Sequence, residues 1–357
     1  MNWRVSGPRW SGPAYALSAA ALFGASIPFA KVLLAAVDPA MLAGLFYLGA
    51  GVGLALVRMA RTQRAPREAP LSRRDIPWFG AAILCGGVVG PLLLMNGLVR
   101  TDGATASLLL SVEGIMTALI AWFAFAEHFD RRVVLGMRCI AAGAMLVSWA
   151  GQPGAGGLLG PLLIVGACAA WGLDNNLTRK VALADPIEIA MLKGLLAGPA
   201  MLVTAVAAGA ALPGLPVALA AAFVGLLGYG ISLALFVAAL RHLGTARTAA
   251  YFSTAPFLGA AVATMLLGEP VTMQLAAAAL LMGIGVLLHL TERHEHEHKH
   301  EPGEHVHWHV HDEHHRHSHA TADPVGEPHN LRHAHVCLRH IHRHVPDSHH
   351  RHAHGQT

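Results

Sequence analysis

The sequence is poor in charged residues. Asp, Glu, Lys and Arg together make up 13% of the 357 residues, and aromatic residues make up only 6%. A soluble domain carries about 25% charged residues, so this chain has too little polar surface to keep a globule of its size in water. The shortage nearly excludes a soluble enzyme, and the 54% of hydrophobic residues favours an integral membrane protein.

Cysteine is also rare and irregularly placed. Cys85, Cys139 and Cys168 lie inside apolar runs, Cys337 lies near the C-terminus, and no CxxC pair occurs. A disulfide framework and a zinc ribbon are therefore not supported. The net charge of +4 does not indicate nucleic-acid binding, because the basic residues are spread between apolar runs instead of forming one patch.

The sequence contains long apolar runs. Because a helix rises about 1.5 Å per residue, about 20 residues cross a hydrocarbon layer of about 30 Å. Ten runs of 18 or more residues are long enough. We therefore predict an all-α integral membrane protein with ten transmembrane helices. The runs cover residues 14–35, 39–57, 77–99, 104–126, 133–150, 157–174, 187–211, 214–240, 245–268 and 271–290.

The distribution of Lys and Arg predicts the orientation of the helices, because cytoplasmic loops carry an excess of these residues. With a cytoplasmic N-terminus, fourteen basic residues fall on the inner side, including six arginines between Arg58 and Arg74, and only Lys31 and Arg100 fall on the outer side. We therefore expect a protein of the cytoplasmic (inner) membrane with both termini in the cytoplasm.

The first 290 residues contain an internal repeat, which appears when the sequence is shifted by 141 to 148 positions. Each copy holds five helices, an odd number, so the second copy enters the membrane inverted. Secondary transporters use this plan and bind substrate between the halves at mid-membrane. The predicted units are residues 13–150 and 157–290, followed by a tail at 291–357. The matched residues are Phe23, Gly24, Lys31, Asp38, Pro39, Arg100, Gly103, Ser107, Ser111 and Glu127 with Trp171, Gly172, Arg179, Asp185, Pro186, Arg241, Gly244, Thr248, Ser253 and Glu269.

These motifs resemble those of the EamA domain. The resemblance lies in the aromatic-Gly pair of helices one and six, the basic residue that follows it, and Glu127 and Glu269, which close helices four and nine. Two EamA domains form a ten-helix member of the drug/metabolite transporter superfamily. The resemblance covers residues 13–290 and implies a carrier of the cytoplasmic membrane, usually an exporter of metabolites. The substrates of the family are varied, and the histidine-rich tail lies outside its pattern.

Glu113 is the sharpest candidate for a transport site, because it lies near the middle of the fourth run. A charge at the bilayer centre costs roughly 2.5 to 3.5 kcal/mol on insertion scales, and such residues face the bundle interior or a cavity. Its counterpart in the second copy is Ala255, so the carboxylate is an asymmetric addition to a symmetric frame. Glu113 suits the exchange of a proton for a cation or a cationic substrate. The alternative is a structural hydrogen bond to a neighbouring helix.

Polar residues of other helices complete the candidate site. Lys193 lies six or seven residues into helix seven, and Asp174 and Asn175 end helix six at the same depth. Together they could form a polar vestibule on the cytoplasmic side, although Lys193 could equally extend to the lipid headgroups. Tyr251 and Ser253 in helix nine either line a cavity or make contacts between helices.

The tail contains 22 of the 25 histidines. Neutral imidazole suits Zn, Ni, Cu and Co(II), and the overlapping histidine pairs predict a set of weak, exchangeable sites. Low complexity and few large apolar residues predict that the tail is disordered without metal. Three interpretations stay open: a metal buffer or sensor, a polycation formed below about pH 6.5, and a passive tail. The candidate ligands are His294, His296, His298, His300, His305, His307, His309, His311, His314, His315, His317 and His319.

We expect a secondary transporter and not an enzyme. The leading hypothesis is a proton-coupled exporter of a small metabolite that rocks one repeat against the other, requires no cofactor for transport and has a metal-binding tail. One alternative is an exporter of divalent Ni, Co or Zn, which is less favoured because the spans offer no cluster of Cys and His. Another is a membrane-anchored metal-binding or storage protein without transport. The expected partners are the lipid bilayer and a small-molecule substrate, and a homodimer is left open.

Overall fold

The computed structural model describes residues 11–60, 75–125, 131–149, 157–178, 186–243, 248, 251–290 and four short segments of the tail. Helical residues occupy all ten predicted apolar runs, so the predicted all-α membrane fold is confirmed. The helices are α1 (Ser11–Leu33), α2 (Pro39–Ala60), α3 (Ile76–Ala82), α4 (Gly90–Val99), α5 (Gly103–Leu109), α6 (Val112–Phe125), α7 (Arg131–Ser148), α8 (Leu159–Thr178), α9 (Pro186–Ala207), α10 (Leu215–Gly225), α11 (Ser232–Leu243), α12 (Ala255–Leu267) and α13 (Met273–Leu290). Two π-helical segments, Ile83–Val89 and Leu226–Ile231, join α3 to α4 and α10 to α11.

Most of these helices have the length and hydropathy that a bilayer requires. Within the described residues, six helical stretches are long and apolar enough to cross a membrane, and three shorter apolar helices accompany them. The helix α8 is in neither group, and it ends in the polar sequence Asp174, Asn175, Asn176 before Leu177 and Thr178. The protein is therefore a multi-pass membrane protein, and one of its helices carries polar residues close to its end.

The two repeats exchange their first helices. The first helix of the first repeat, α1, packs against α11, α12 and the second π segment, all of which belong to the second repeat. In the same way α8, the first helix of the second repeat, packs against α3, α4, α6 and the first π segment. The helix α2 packs against its counterpart α9, and α7 against its counterpart α13. The repeats are thus interlocked, and their contacts follow the symmetry that the sequence repeat predicts.

The glycine of each aromatic-Gly motif permits this close packing. A Cβ atom on Gly24 would overlap the carbonyl oxygen of Ala255 in α12, and a Cβ atom on Gly172 would lie 2.8 Å from the backbone nitrogen of Thr117 in α6. Small residues let membrane helices approach closely. The motif therefore marks the two places where an exchanged helix crosses the fourth span of the other repeat.

Helix interruptions also occur in pairs related by the repeat. The π segments 83–89 and 226–231 occupy corresponding positions in the third spans of the two copies. A turn at 110–111 separates α5 from α6, and a turn at 253–254 precedes α12. Ser111 and Ser253, which lie in these turns, are repeat counterparts. Because π segments and broken helices are frequent at functional and substrate sites, the interruptions indicate where the site lies.

An acidic side chain of the second repeat caps a helix of the first. Glu269 Oε1 accepts the N–H of Gly103 at 2.6 Å, and Oε2 accepts the N–H of Ala104 at 2.7 Å. These N–H groups belong to the first two residues of α5, which have no partner within their own helix. The Glu of the sequence motif is therefore a helix cap that joins the two repeats.

Lys31 binds backbone carbonyl groups of the turn between α4 and α5, next to the residues that Glu269 caps. Its Nζ donates to the carbonyl oxygen of Leu98 at 2.5 Å and to that of Thr101 at 2.9 Å, at the end of α4 and in the turn that follows. Backbone carbonyls near hydrocarbon need such partners, because lipid tails supply none. Lys31 and Glu269 thus tie the turn between α4 and α5 to α1 and to the second repeat.

Replacing Glu269 with Ala should destabilise the protein by about 1 to 3 kcal/mol, because two helix N–H groups lose a charged acceptor. Glu188→Ala is the matched control, since Glu188 forms a partly exposed ion pair with Arg58 at 3.1 Å, and such pairs contribute less than about 1 kcal/mol. The measurement is the free energy of unfolding in detergent. Equal losses in the two variants would contradict the capping role.

Four short segments of the tail are described as strands. They are β1 (Glu295–Lys299), β2 (Gly303–His309), β3 (His329–His335) and β4 (Arg339–Arg343), and the disorder that the sequence predicts for the tail without metal stays a prediction. The strand β1 pairs with β4 and β2 pairs with β3, both in antiparallel orientation. The alternation of His with other residues has the two-residue period of an extended strand.

Candidate functional site

Glu113 and Asn175 are joined by a hydrogen bond at the break in the fourth span. Asn175 Nδ2 donates to Glu113 Oε1 at 2.9 Å and to Thr117 Oγ1 at 3.2 Å. Glu113 lies in the first turn of α6, one helical turn before Thr117, so both side chains present oxygen atoms to the same amide. Two of the residues predicted from sequence thus meet in one hydrogen-bonded group.

Asp174 and Lys193 form an ion pair next to this group. Lys193 Nζ lies 2.6 Å from each carboxylate oxygen of Asp174, and Thr178 Oγ1 donates to Asp174 Oδ1 at 2.9 Å. The side chains of Lys193 and Asp174 are only 15% and 12% exposed. Lys193 therefore binds a carboxylate inside the bundle instead of extending to lipid headgroups, and the two charges neutralise each other.

Gly86 in the first π segment packs against the polar end of α8. A Cβ atom on Gly86 would overlap the Asp174 carboxylate, so a larger residue does not fit. The carbonyl oxygen of Gly86 accepts the Tyr47 hydroxyl at 2.7 Å and Trp171 Nε1 at 3.0 Å. A π segment changes the backbone pairing from four to five residues, and here side chains of α2 and α8 bind one of its carbonyl groups. The π segment thus joins α2 and α8 at the site.

A second amide fixes the contact between α6 and α8. The buried Asn176 donates through Nδ2 to the carbonyl oxygens of Thr117 at 3.0 Å and Gly172 at 2.8 Å. Thr117 was not predicted from the sequence, although it lies four residues after Glu113 and therefore on the same face of the helix. That spacing is a signal that could have found it, whereas Tyr47 in α2 carries no comparable signal.

The Glu113 group borders open space. Asn175 and Gly114 are exposed and Glu113 is partly exposed, although all three lie within the spans. Among the described helices, α5 packs against α1 and α12, whereas α6, beyond the break, packs against α8 and α7. The main contacts of the fourth span therefore change at its break, from α1 and α12 before it to α8 after it.

Aromatic rings from both repeats surround Tyr229. The centroid of its ring lies 5.8 Å from that of Phe23, 5.7 Å from that of Phe46 and 5.5 Å from that of Tyr47. Phe23 also contacts Phe252, at 5.7 Å. We call these five residues the aromatic cluster. It joins α1 and α2 of the first repeat to the third and fourth spans of the second.

The polar group is an asymmetric feature of a symmetric frame. Gly228 packs against Ser26 as Gly86 packs against Asp174, so the two copies share the backbone arrangement and differ in side chains. Ionisable residues therefore lie on one side of the pseudo-symmetric interior, and their counterparts are small, apolar or aromatic. Under the repeat, Glu113, Asp174, Asn175 and Lys193 correspond to Ala255, Ser26, Ile27 and Phe46.

Tyr251 and Ser253, also predicted from sequence, lie at the second helix break. The hydroxyl and the backbone N–H of Thr254 donate to the Tyr251 carbonyl oxygen at 2.6 Å and 3.2 Å. Phe252, between the two predicted residues, belongs to the aromatic cluster. The structure thus places Tyr251 and Ser253 beside the aromatic cluster and adds Phe252, which the sequence analysis missed.

The candidate metal ligands of the tail fall into two groups. Among the described residues, no group of three or more His, Cys, Asp or Glu side chains is arranged to hold a metal ion. One group of candidates lies in β1 and β2 and comprises His296, His298, His305, His307 and His309. The other group lies outside the described residues and comprises His294, His300, His311, His314, His315, His317 and His319.

Comparison with known proteins identifies the family. The sequence profile of the EamA-like transporter family matches the chain twice, over residues 10–149 and 158–291. The chain belongs to the EamA-like transporter family. A protein of Methanothermobacter thermautotrophicus described as an uncharacterized transporter is 27% identical to this transporter over 290 residues, which cover 76% of this chain and 84% of that protein.

A solved structure, described only as the crystal structure of a protein, shares the fold. It aligns with a TM-score of 0.58 and 18% sequence identity over 78% of this chain and 96% of its own. The family resemblance inferred from the sequence motifs is thus confirmed. The EamA-like transporter described here is a membrane transporter and not an enzyme.

Removal of Lys193 alone should be more damaging than removal of the whole ion pair. In Lys193→Met the Asp174 carboxylate stays mostly buried without its cation, which costs about 3 to 5 kcal/mol. The double variant Asp174→Asn/Lys193→Met removes both charges and should recover most of that loss. The measurement is the free energy of unfolding of each variant in detergent. A double variant less stable than Lys193→Met would contradict the ion pairing.

Proposed function

We propose that this transporter is a proton-coupled secondary exporter of a small metabolite, located in the cytoplasmic membrane with both termini in the cytoplasm. In this proposal Glu113 binds either the proton or the substrate. The observation that carries the proposal is the hydrogen bond from Asn175 to Glu113 at the broken fourth span. It holds a partly exposed carboxylate within a membrane span, and such carboxylates mark ion and substrate pathways in membrane proteins.

Asp174 and Lys193 act in this proposal as positioning residues for Asn175. Asp174 precedes Asn175 in α8, and Lys193 in α9 holds both of its carboxylate oxygens at 2.6 Å. The ion pair therefore fixes the rotation of the end of α8, which directs Asn175 towards Glu113. The same polar residues form the approach to Glu113 from the cytoplasm.

Alternating access would use the exchanged helices. Because α1 packs on the second repeat and α8 on the first, rocking of one repeat against the other changes both sets of contacts together. The turns at 110–111 and 253–254 give the two copies a hinge at corresponding positions. The proposed motion thus has a matched pair of hinges and a shared interface.

A small metabolite is a better candidate substrate than a metal ion. A dehydrated path for Zn or Ni would be expected to offer several His or Cys ligands, and the described spans hold no such group. The groups next to Glu113 are instead the Asn175 amide and the Thr117 hydroxyl. The metal-exporter alternative and the storage-protein alternative therefore depend on the tail.

Everted membrane vesicles test the proposal. Respiration acidifies their interior, and a proton-coupled exporter then exchanges internal protons for substrate added outside. Addition of a cell extract of small molecules should collapse the pH gradient in vesicles that contain the wild-type protein, as measured with a pH-sensitive dye. In Glu113→Gln the collapse should fall to the level of vesicles without the protein, because the amide cannot exchange a proton.

Glu188→Gln is the control variant and should behave as wild type, since Glu188 pairs with Arg58 at the ends of α9 and α2. A collapse of the same size in Glu113→Gln and wild type would contradict proton coupling at Glu113. A wild-type protein that produces no flux but binds metal would instead favour the storage protein.

We further propose that the tail binds a divalent transition metal in pairs of histidines. The specific observation is the strand register, in which histidine stands opposite histidine at four positions. Residues directly opposite in an antiparallel pair share a face of the sheet, and a pair of imidazoles is a weak, exchangeable site for Zn, Ni, Co or Cu. The opposed residues are His296 and His342, His298 and His340, His305 and His333, and His309 and His329.

Truncation after Leu290 should abolish most binding of Zn²⁺ and Ni²⁺, measured by equilibrium dialysis of the protein in nanodiscs. Replacing the paired residues His296, His298, His340 and His342 with Asn should remove more bound metal than the same replacement of His314, His315, His317 and His319, because the residues of the first set stand opposite one another in register. If the truncated protein binds as much metal as the full chain, the metal-binding role of the tail is wrong.

A further inference from the structure

We propose that the tail is a cooperative metal-dependent switch, in which the first divalent transition-metal ion closes one hairpin made of both strand pairs and later ions bind more tightly. The inference rests on the proposed metal binding of the tail and adds how its sites are coupled. Three observations carry it: the common register of the two strand pairs, the weak pairing of the strands by themselves, and the spread of opposed histidines over both strand pairs.

The two strand pairs continue one another in a single register. Lys299, the last residue of β1, stands opposite Arg339, and Gly303, the first residue of β2, stands opposite His335. From the first of these positions to the second, the chain advances four residues on one side and goes back four residues on the other. The pairs β1–β4 and β2–β3 are therefore in the register of one antiparallel ladder, whose two sides are joined by the residues between β2 and β3.

The residues of the strands do little to hold this ladder together by themselves. A two-stranded hairpin is marginally stable at best in water, and closing the 19-residue connection 310–328 has an entropic cost. Lys299 and Arg339 stand opposite each other with like charge, which destabilises the pairing. No two of the four large apolar residues of the strands stand opposite each other. These residues are Val306, Trp308, Leu331 and Ile341. The free energy that closes the hairpin must therefore come largely from a ligand.

Opposed histidines occur in both parts of the ladder, and each of the two strand pairs holds two such positions. An ion bound at any one of them joins the two sides of the chain and closes the connection, so the entropic cost of closure arises only once. The other three positions are then already in register for the ions that follow. Sites that share one conformational equilibrium in this way bind their ligand cooperatively.

Cooperative binding distinguishes a switch from a buffer. Independent histidine pairs would fill over a broad range of metal concentration, with a Hill coefficient of about 1. Pairs that belong to one ladder fill over a narrow range, so a small change in metal concentration converts the tail from an open chain to a closed hairpin. The common register thus favours a metal sensor over a metal buffer.

Equilibrium dialysis of Ni²⁺ against the full-length protein in nanodiscs tests the coupling. We expect a Hill coefficient of at least about 1.5, within the limit set by the number of sites. Hydrogen exchange of the tail amides, followed by mass spectrometry on the same samples, should show that β1–β4 and β2–β3 become protected at the same Ni²⁺ concentration. A Hill coefficient of about 1, or protection of the two strand pairs at different concentrations, would overturn the inference.

The double variant Val306→Pro/Leu331→Pro disrupts the ladder and keeps every histidine. Val306 stands opposite Arg332 and Leu331 opposite His307, and such neighbouring positions alternate between hydrogen-bonded and non-hydrogen-bonded pairs. One of the two prolines therefore removes an N–H group that the ladder uses. We expect the Hill coefficient to fall to about 1 and the half-saturating Ni²⁺ concentration to rise at least about fivefold.

The control is Ala320→Pro/Ala322→Pro, which places the same two residues in the connection between β2 and β3 and should bind Ni²⁺ as wild type does. Unchanged cooperativity in Val306→Pro/Leu331→Pro, or an equal loss in the control, would contradict coupling through the ladder.

The outcomes also separate this inference from the proposed function. If the wild-type tail binds Ni²⁺ with a Hill coefficient of about 1, the metal-binding tail stands as a buffer and the switch is wrong. If the protein truncated after Leu290 binds as much Ni²⁺ as the full chain, the metal-binding role itself fails, and the switch fails with it.

Discussion

The constraint on which the rest of the structure depends is that hydrocarbon offers no hydrogen bonds to a polypeptide backbone. Every interruption of a helix in such a setting must be satisfied by protein or must border a cavity. Glu269 and Lys31 satisfy the N–H and carbonyl groups of the turn between α4 and α5, and Tyr47 and Trp171 bind a carbonyl of the first π segment. The partners are drawn from both repeats, so the helix interruptions also hold the two copies together.

The site lies where polar side chains occupy only one side of this symmetric frame. Gly86 and Gly228 occupy the same place in their copies, but one faces Asp174 and the other Ser26. One side of the interior therefore carries charged residues, and the other side carries the aromatic cluster. We propose that Glu113, on the charged side, exchanges the proton during transport.

Much of the fold was predictable from the sequence, because the length of the apolar runs is a direct consequence of the thickness of the bilayer. The repeat motifs predicted the family, and Glu113, Asp174, Asn175 and Lys193 were identifiable because ionisable and amide residues are costly in a span. Their pairing was not predictable: Lys193 had an equal alternative at the headgroups until its contact with Asp174 was known. Thr117, Tyr47 and Phe252 were missed since residues of ordinary membrane composition gain importance only from the helix crossings that bring them together.

Proton coupling at Glu113 is the central claim, and substrate uptake with and without a pH gradient measures it most directly. Uptake of small molecules from a cell extract into everted vesicles that contain the full-length protein is measured with the gradient present and after it is dissipated, for wild type and for Glu113→Gln. The account predicts that wild-type vesicles take up at least one compound, that this uptake falls when the gradient is dissipated, and that gradient-dependent uptake is absent in Glu113→Gln, because the amide cannot exchange a proton. Equal uptake with and without the gradient in wild type, or equal gradient-dependent uptake in the two proteins, would contradict the account.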